Sequence, residues 1–293
     1  MPKVTLSRGS ISFLRLGDWT SDVPVVFIHG LAASSAFWFP AANTVRERHP
    51  VLVYDLIGHG RSGVRSEGLS AEAQAMDLIA LLDVLDIPKA ILVGHSFGGA
   101  VALTAVALQP SRFARIALAD TRLLAFQANL SPQDWPNWLA QKAFFEDAGI
   151  PIDPDDPESG VSILTALAKL QLSTTADPAV LQPWVMKYFG QPQSQHAARR
   201  WVKLVESSSL RQDIRISGPL TTEWLASLSL PLLAVYGKNS PLLPSGLALH
   251  AIQPRADFRV IEGAGHFFPA LRPATFVEPL LEFLESVQTP PSQ

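Results

Sequence analysis

Short apolar runs recur along this chain, and each stops at small or polar residues. Val25-Val26-Phe27-Ile28 ends at His29-Gly30, and Val51-Leu52-Val53-Tyr54 ends at Asp55. Ile91 to Val93, Ile116 to Ala119, Leu232 to Tyr236 and Phe258 to Ile261 follow the same pattern. Continuous β-branched and aliphatic runs of this length predict strands buried on both faces. Near the N-terminus, Val4 to Ser7 and Ile11 to Leu16 flank Arg8-Gly9-Ser10, which predicts a hairpin. From Glu72 to Leu85 the spacing changes: Ala75, Ile79, Leu82 and Leu85 share one helical face, and Pro88 follows. Strands alternating with helical segments predict a mostly parallel sheet covered on both sides.

The rhythm breaks between Arg122 and Leu228. That region offers no clear buried strand and reads as helices joined at prolines, among them Pro132, Pro136, Pro151, Pro154 and Pro157. Five of the seven tryptophans fall there: Trp135, Trp138, Trp184, Trp201 and Trp224. They suit either a small helical core or the wall of an apolar pocket. An insertion after a central strand overhangs the strand ends where sites form, which favours a lid. The stretch Asp153-Pro154-Asp155-Asp156-Pro157-Glu158-Ser159-Gly160 is expected to be a mobile loop, and the tail Gln288 to Gln293 a frayed end.

The segment Leu92-Val93-Gly94-His95-Ser96-Phe97-Gly98-Gly99-Ala100 carries the chemistry. An apolar strand runs into Gly-x-Ser-x-Gly, and a small, helix-compatible run follows to Leu108. This is the sequence form of a nucleophile elbow, a sharp strand-to-helix turn that presents a serine hydroxyl beside free helix N-terminal amides. Glycines flank the serine because larger side chains would clash there.

Composition narrows the partners. The 293 residues are 47% hydrophobic and 17% charged, enough for one α/β domain with a sizeable insertion. Lys+Arg number 23 against Asp+Glu 26, with no basic stripe, so nucleic acid is not an expected partner. The absence of cysteine removes disulfides and thiolate metal sites, and no ligand cluster or nucleotide loop implies a metal or a cofactor. No run is long enough for a membrane span and Met1-Pro2-Lys3-Val4-Thr5 lacks a signal-peptide core, so a cytoplasmic location is expected.

Together these pieces resemble the α/β-hydrolase superfamily over nearly the whole chain. The resemblance rests on four motifs in order: His29-Gly30 after the third strand, Asp55-Leu56-Ile57-Gly58-His59-Gly60-Arg61-Ser62 after the fourth, Gly94 to Gly99, and Gly263-Ala264-Gly265-His266 after the last strand. It implies a mostly parallel eight-stranded sheet with helices on both faces and a helical cap after strand 6. The core would comprise residues 1–121 and 229–293, and the cap 122–228. It implies Ser96 as nucleophile and His266 as base then acid. The backbone N–H groups of Leu31 and Phe97 would form the oxyanion hole. His29, His59, His95 and the Asp55 loop would serve structure. Trp135, Trp138 and Trp184 are expected to line the substrate pocket.

One element departs from the family pattern. The segment after the seventh strand, Tyr236-Gly237-Lys238-Asn239-Ser240-Pro241, holds Ser240 where a triad aspartate is usual. A hydroxyl cannot stabilise an imidazolium as a carboxylate does. Asp120, which ends the sixth strand, is the preferred substitute, because some relatives carry their acid there. Glu262 and Asp213 are rivals, and Asp120 paired to Arg122 in a turn is the bland alternative. The expected activity is cofactor-independent hydrolysis of an ester, lactone or thioester of a mainly apolar small molecule through an acyl-enzyme. Two alternatives stay open: carbon–carbon bond hydrolysis or a cyclase/lyase step, and a small-molecule receptor with a weakened triad.

Overall fold

The computed structural model describes residues 1–20, 23–136, 138–150, 152–173, 177–189 and 194–286, so the tail expected to fray lies outside the described residues. Its strands are β1 (Lys3–Leu6), β2 (Gly9–Leu16), β3 (Val25–Ile28), β4 (Val51–Tyr54), β5 (Ala90–His95), β6 (Phe113–Ala119), β7 (Leu232–Gly237) and β8 (Asp257–Ile261). They form one sheet in the order β1-β2-β4-β3-β5-β6-β7-β8. The β1–β2 hairpin and the β2–β4 pair are antiparallel, and the other pairs are parallel. Every residue of β3, β4, β5 and β7 is buried, as the unbroken apolar runs require.

The first three helices are α1 (Phe39–Val45), α2 (Ala71–Val84) and α3 (Phe97–Leu108). Helix α2 starts where Ser70 Oγ accepts the Ala73 amide, with Glu72 in the first turn, and it stops before Pro88. Between β6 and β7 run α4 (Trp138–Asp147), α5 (Ser159–Leu172), α6 (Pro178–Phe189), α7 (Gln195–Glu206), α8 (Leu210–Asp213) and α9 (Thr222–Ser227). The chain closes with α10 (Leu243–Ile252), α11 (Phe268–Leu271) and α12 (Ala274–Glu285). Helix α2 packs on α3 and α1 packs on α12, while α5 packs on α6 and α7 within the inserted segment.

The stretch expected to be mobile is tied down at its far end. Pro157 O accepts the Leu130 amide at 2.8 Å, and Leu130 O accepts the Ser159 amide at 3.2 Å. Glu158 is buried and takes Arg122 at 2.7 Å and Arg215 at 2.9 Å. Those arginines are 36 and 57 positions away, so prolines and acids read locally as a loop while the tertiary partners were not legible. A buried carboxylate between two guanidiniums holds the inserted segment to the end of β6.

Parallel pairing brings four strand ends to one edge. Ile28 is level with Gly94, His95 with Ala119, and Ala119 with Val235. The residues that follow β3, β5, β6 and β7 therefore share one site at the carboxyl end of the sheet, where α/β folds place ligands.

Candidate active site

The turn from β5 into α3 is strained at Ser96, which has φ 54° and ψ −122°. A non-glycine residue holds that conformation only where its surroundings over-determine it. Here Ser96 N–H donates to Ala119 O at 3.0 Å, and the flanking backbones press in. A Cβ on Gly98 would lie 2.3 Å from Ile28 O, and one on Gly99 1.9 Å from Thr121 Oγ1. Those two glycines are there for close approach, as the elbow motif implies.

His266 follows β8, and its Nδ1–H donates to Asp120 Oδ2 at 2.6 Å. Asp120 follows β6 and is 0% exposed. Its backbone is pinned by the bond from its N–H to Val235 O at 2.9 Å. Its Oδ1 accepts the Gly237 amide at 2.9 Å, and its Oδ2 also accepts the Ser240 hydroxyl. The other candidate acids are elsewhere. Glu262 projects to the surface beside Lys238, and Asp213 accepts the Leu69 amide and the Ser209 hydroxyl. Arg122 pairs with Glu158, not with Asp120.

Ser96 and His266 line one cavity of ≈ 120 Å³, together with Gly30, Leu31 and Phe97. Phe97 is the first residue of α3, so its amide belongs to the free first turn of a helix. The inserted segment adds Leu130, Trp135, Val161, Leu164, Ile214 and Leu220 to the lining. The lining is mostly aliphatic. Of the three tryptophans expected there, Trp135 is present, its indole N–H bonded to Ser159 Oγ at 2.9 Å. Trp138 and Trp184 are not among the described residues that line the cavity. Trp184 stacks on Phe144 at 4.1 Å, and Trp138 packs against the hydrophobic core. An aromatic in a helical insertion serves whichever apolar neighbour is nearer, and sequence spacing does not say which.

Three more histidines are buried and held in fixed tautomers. His29 Nε2 accepts the Leu56 amide at 3.1 Å, so Nδ1 carries the proton and donates to Gly30 O at 2.7 Å. His59 Nδ1 bonds Ile57 O at 3.3 Å. His95 Nε2–H donates to His266 O at 3.0 Å, and its ring stacks on Phe37 at 4.4 Å. His95 thus ties the His266 loop to the residue before Ser96, a link invisible along a separation of 171 positions. Asp55 accepts the Ser35 and Arg61 amides and braces the two loops after β3 and β4.

Burial pushes all three imidazoles towards the neutral form: His29 is lowered, His95 falls well below the usual histidine range, and His59 drops to about 3. The unfolded chain therefore binds more protons than the folded one below pH ~6.5, and stability falls as the pH drops through that window. Each imidazole removes about 1.4 kcal/mol per pH unit until its folded value is reached. Urea unfolding between pH 7 and pH 4 is expected to give steadily lower stability. The loss becomes shallower in His59→Gln, which has no proton to gain.

A sequence model described as the alpha/beta hydrolase family matches residues 25–278. The chain belongs to the alpha/beta hydrolase family. This hydrolase is 28% identical over 273 residues to the sn-1-specific diacylglycerol lipase ABHD11 of Danio rerio, covering 92% of this chain and 80% of that one. Its fold matches a thermophilic esterase from Thermogutta terrifontis with TM-score 0.68 and 23% identity, over 98% of this chain and 99% of that chain. It also matches the enol-lactonase from Burkholderia xenovorans LB400 with TM-score 0.61 and 21% identity, over 97% and 100%. The expected eight-stranded, mostly parallel α/β-hydrolase sheet is the fold observed. No helix among the described residues is long and apolar enough to cross a membrane.

Proposed function

We propose that this hydrolase cleaves an ester, lactone or thioester of a mainly apolar small molecule through an acyl-enzyme on Ser96. The observation that carries this reading is the buried Asp120 carboxylate on His266 Nδ1, in a hydrolase whose elbow serine lines the same apolar cavity. With its proton held on Nδ1, the imidazole has a free Nε2 lone pair to take the Ser96 proton. Ser96 Oγ attacks the carbonyl carbon, and the developing oxyanion is met by the Leu31 and Phe97 amides. His266 then returns the proton to the leaving oxygen or sulfur, and the acyl group stays on Ser96. Water, deprotonated by His266, releases the acid.

In this reading residues 122–228 are a cap over the core formed by residues 1–121 and 229–293, and the cap wall receives the apolar acyl group. The name of the ABHD11 relative, a diacylglycerol lipase, fits the same class of acyl ester. The receptor alternative drew its motive from Ser240 at the usual acid position, and a carboxylate bonded to His266 takes that motive away.

The direct experiment uses a fluorophosphonate, which needs an activated serine to form its adduct. Peptide mass spectrometry is expected to locate one adduct, on Ser96, and to find none in His266→Ala. Medium-chain p-nitrophenyl esters are expected to be turned over in step with the unmodified fraction. An adduct elsewhere, or ester turnover that survives full labelling of Ser96, would overturn the assignment.

A further inference from the structure

Ser240 lies on the loop after β7, is buried, and its hydroxyl makes two bonds whose directions its chemistry orders. Its Oγ accepts the Leu242 amide at 3.1 Å, so a lone pair is used there. Its own proton goes to Asp120 Oδ2, because an ionised carboxylate only accepts. Its backbone N–H closes the turn onto Gly237 O at 3.1 Å, and Gly237 N–H holds the other carboxylate oxygen. One loop therefore grips both oxygens of Asp120. The Oδ2 held by Ser240 is the same atom that receives His266 Nδ1–H.

We infer that Ser240 is a positioning residue for the Asp120–His266 pair, orienting the carboxylate towards Nδ1 and sharing its charge with the imidazole. The inference rests on the triad reading proposed above. Two donors on one oxygen compete for its electron density, so the hydroxyl tempers how strongly the carboxylate stabilises an imidazolium. It also blocks rotation of the carboxylate, whose burial leaves no water to replace a lost donor. The chain has thus kept a polar residue at the usual acid address and given it a supporting part.

The neighbouring ionisable groups do not supply this effect. His95 on β5 is neutral, and Tyr236 on β7 is pushed far above its usual range by burial and by the Asp120 charge. Its hydroxyl donates to Thr121 O. On the loop after β6, Arg122 is engaged by Glu158, and at the rim Lys238 faces Glu262.

The test compares wild type with Ser240→Ala, Ser240→Thr and Ser240→Cys on a p-nitrophenyl ester. In Ser240→Ala, kcat/KM on the plateau is expected to fall about 3–10-fold, the worth of one hydrogen bond. The acid limb of the pH profile moves to higher pH, because the carboxylate then serves the imidazole alone. Ser240→Thr restores both values. Ser240→Cys, with a weaker donor, gives a smaller shift in the same direction and stands in if the alanine variant does not fold. The His266 ring resonance, titrated by NMR in each variant, is expected to move with the acid limb and needs no turnover. An unmoved resonance and acid limb in Ser240→Ala, or a shift in Ser240→Thr as large as in Ser240→Ala, overturns the inference. Absence of ester turnover in wild type counts against the triad reading instead, and the NMR titration still decides the role of Ser240.

Discussion

Ser96→Ala lowers kcat on p-nitrophenyl esters by about 10⁶, the scale on which loss of a triad nucleophile is felt. The substitution removes the attacking oxygen and nothing else of consequence. Alanine keeps the Cβ, so the strained backbone at φ 54° is neither relieved nor worsened. The elbow is held from outside by the Ser96 N–H bond to Ala119 O and by the close approach of Gly98 to Ile28 O. The melting temperature is therefore expected to stay near that of wild type, and an apolar acid is expected to bind as before. Residual rate over water, from binding and the oxyanion amides, is of order 10³. A variant that kept more than ~1% of wild-type kcat, a loss of under 3 kcal/mol in barrier, would mean that another group attacks the carbonyl.

Legibility followed the range of the interactions. The strands were readable because each is a continuous apolar run whose burial its own composition demands, as in Val51–Tyr54. The elbow was readable because its constraints are local: Gly94, Ser96, Gly98 and Gly99 are close in sequence as well as in space. Ser240 at the usual acid position points to Asp120 as a candidate, but the contact of Asp120 with His266 spans 146 positions, and only the sheet order brings the two together. The same limit hides the hold of Arg122 and Arg215 on Glu158 and the stacking of Trp184 on Phe144. At Ser240 the sequence revealed which acid was missing. That the serine donates to Asp120 depends on two loops, after β6 and β7, meeting at strand ends.

Asp120→Asn is expected to cost about 10⁴ in kcat, as the corresponding change does in serine proteases through the wrong tautomer. The carboxylate only accepts, and so it keeps the His266 proton on Nδ1. An amide at the same place already has two fixed donors facing it, from Gly237 N–H and Ser240 Oγ–H. Its oxygen satisfies one of them, and its NH₂ group is then directed at Oδ2's old partners. The imidazole responds by accepting at Nδ1 and carrying its proton on Nε2, where it cannot take one from Ser96. Adding Ser240→Asp to this variant tests whether the site requires a particular residue or only a carboxylate on Nδ1. Ser240 Oγ is in hydrogen-bond contact with the oxygen that meets His266, so a side chain one atom longer reaches the same space. The double variant is expected to regain at least ~10-fold over Asp120→Asn, about 1.4 kcal/mol of barrier. Ser240→Asp alone should do the opposite. Two carboxylates in one buried site cannot both ionise, so one binds a proton and competes with His266 for the other. Kinetics of the three variants at neutral pH separate these outcomes. A double variant no faster than Asp120→Asn would show that the loop after β7 no longer holds an acid in line with Nδ1.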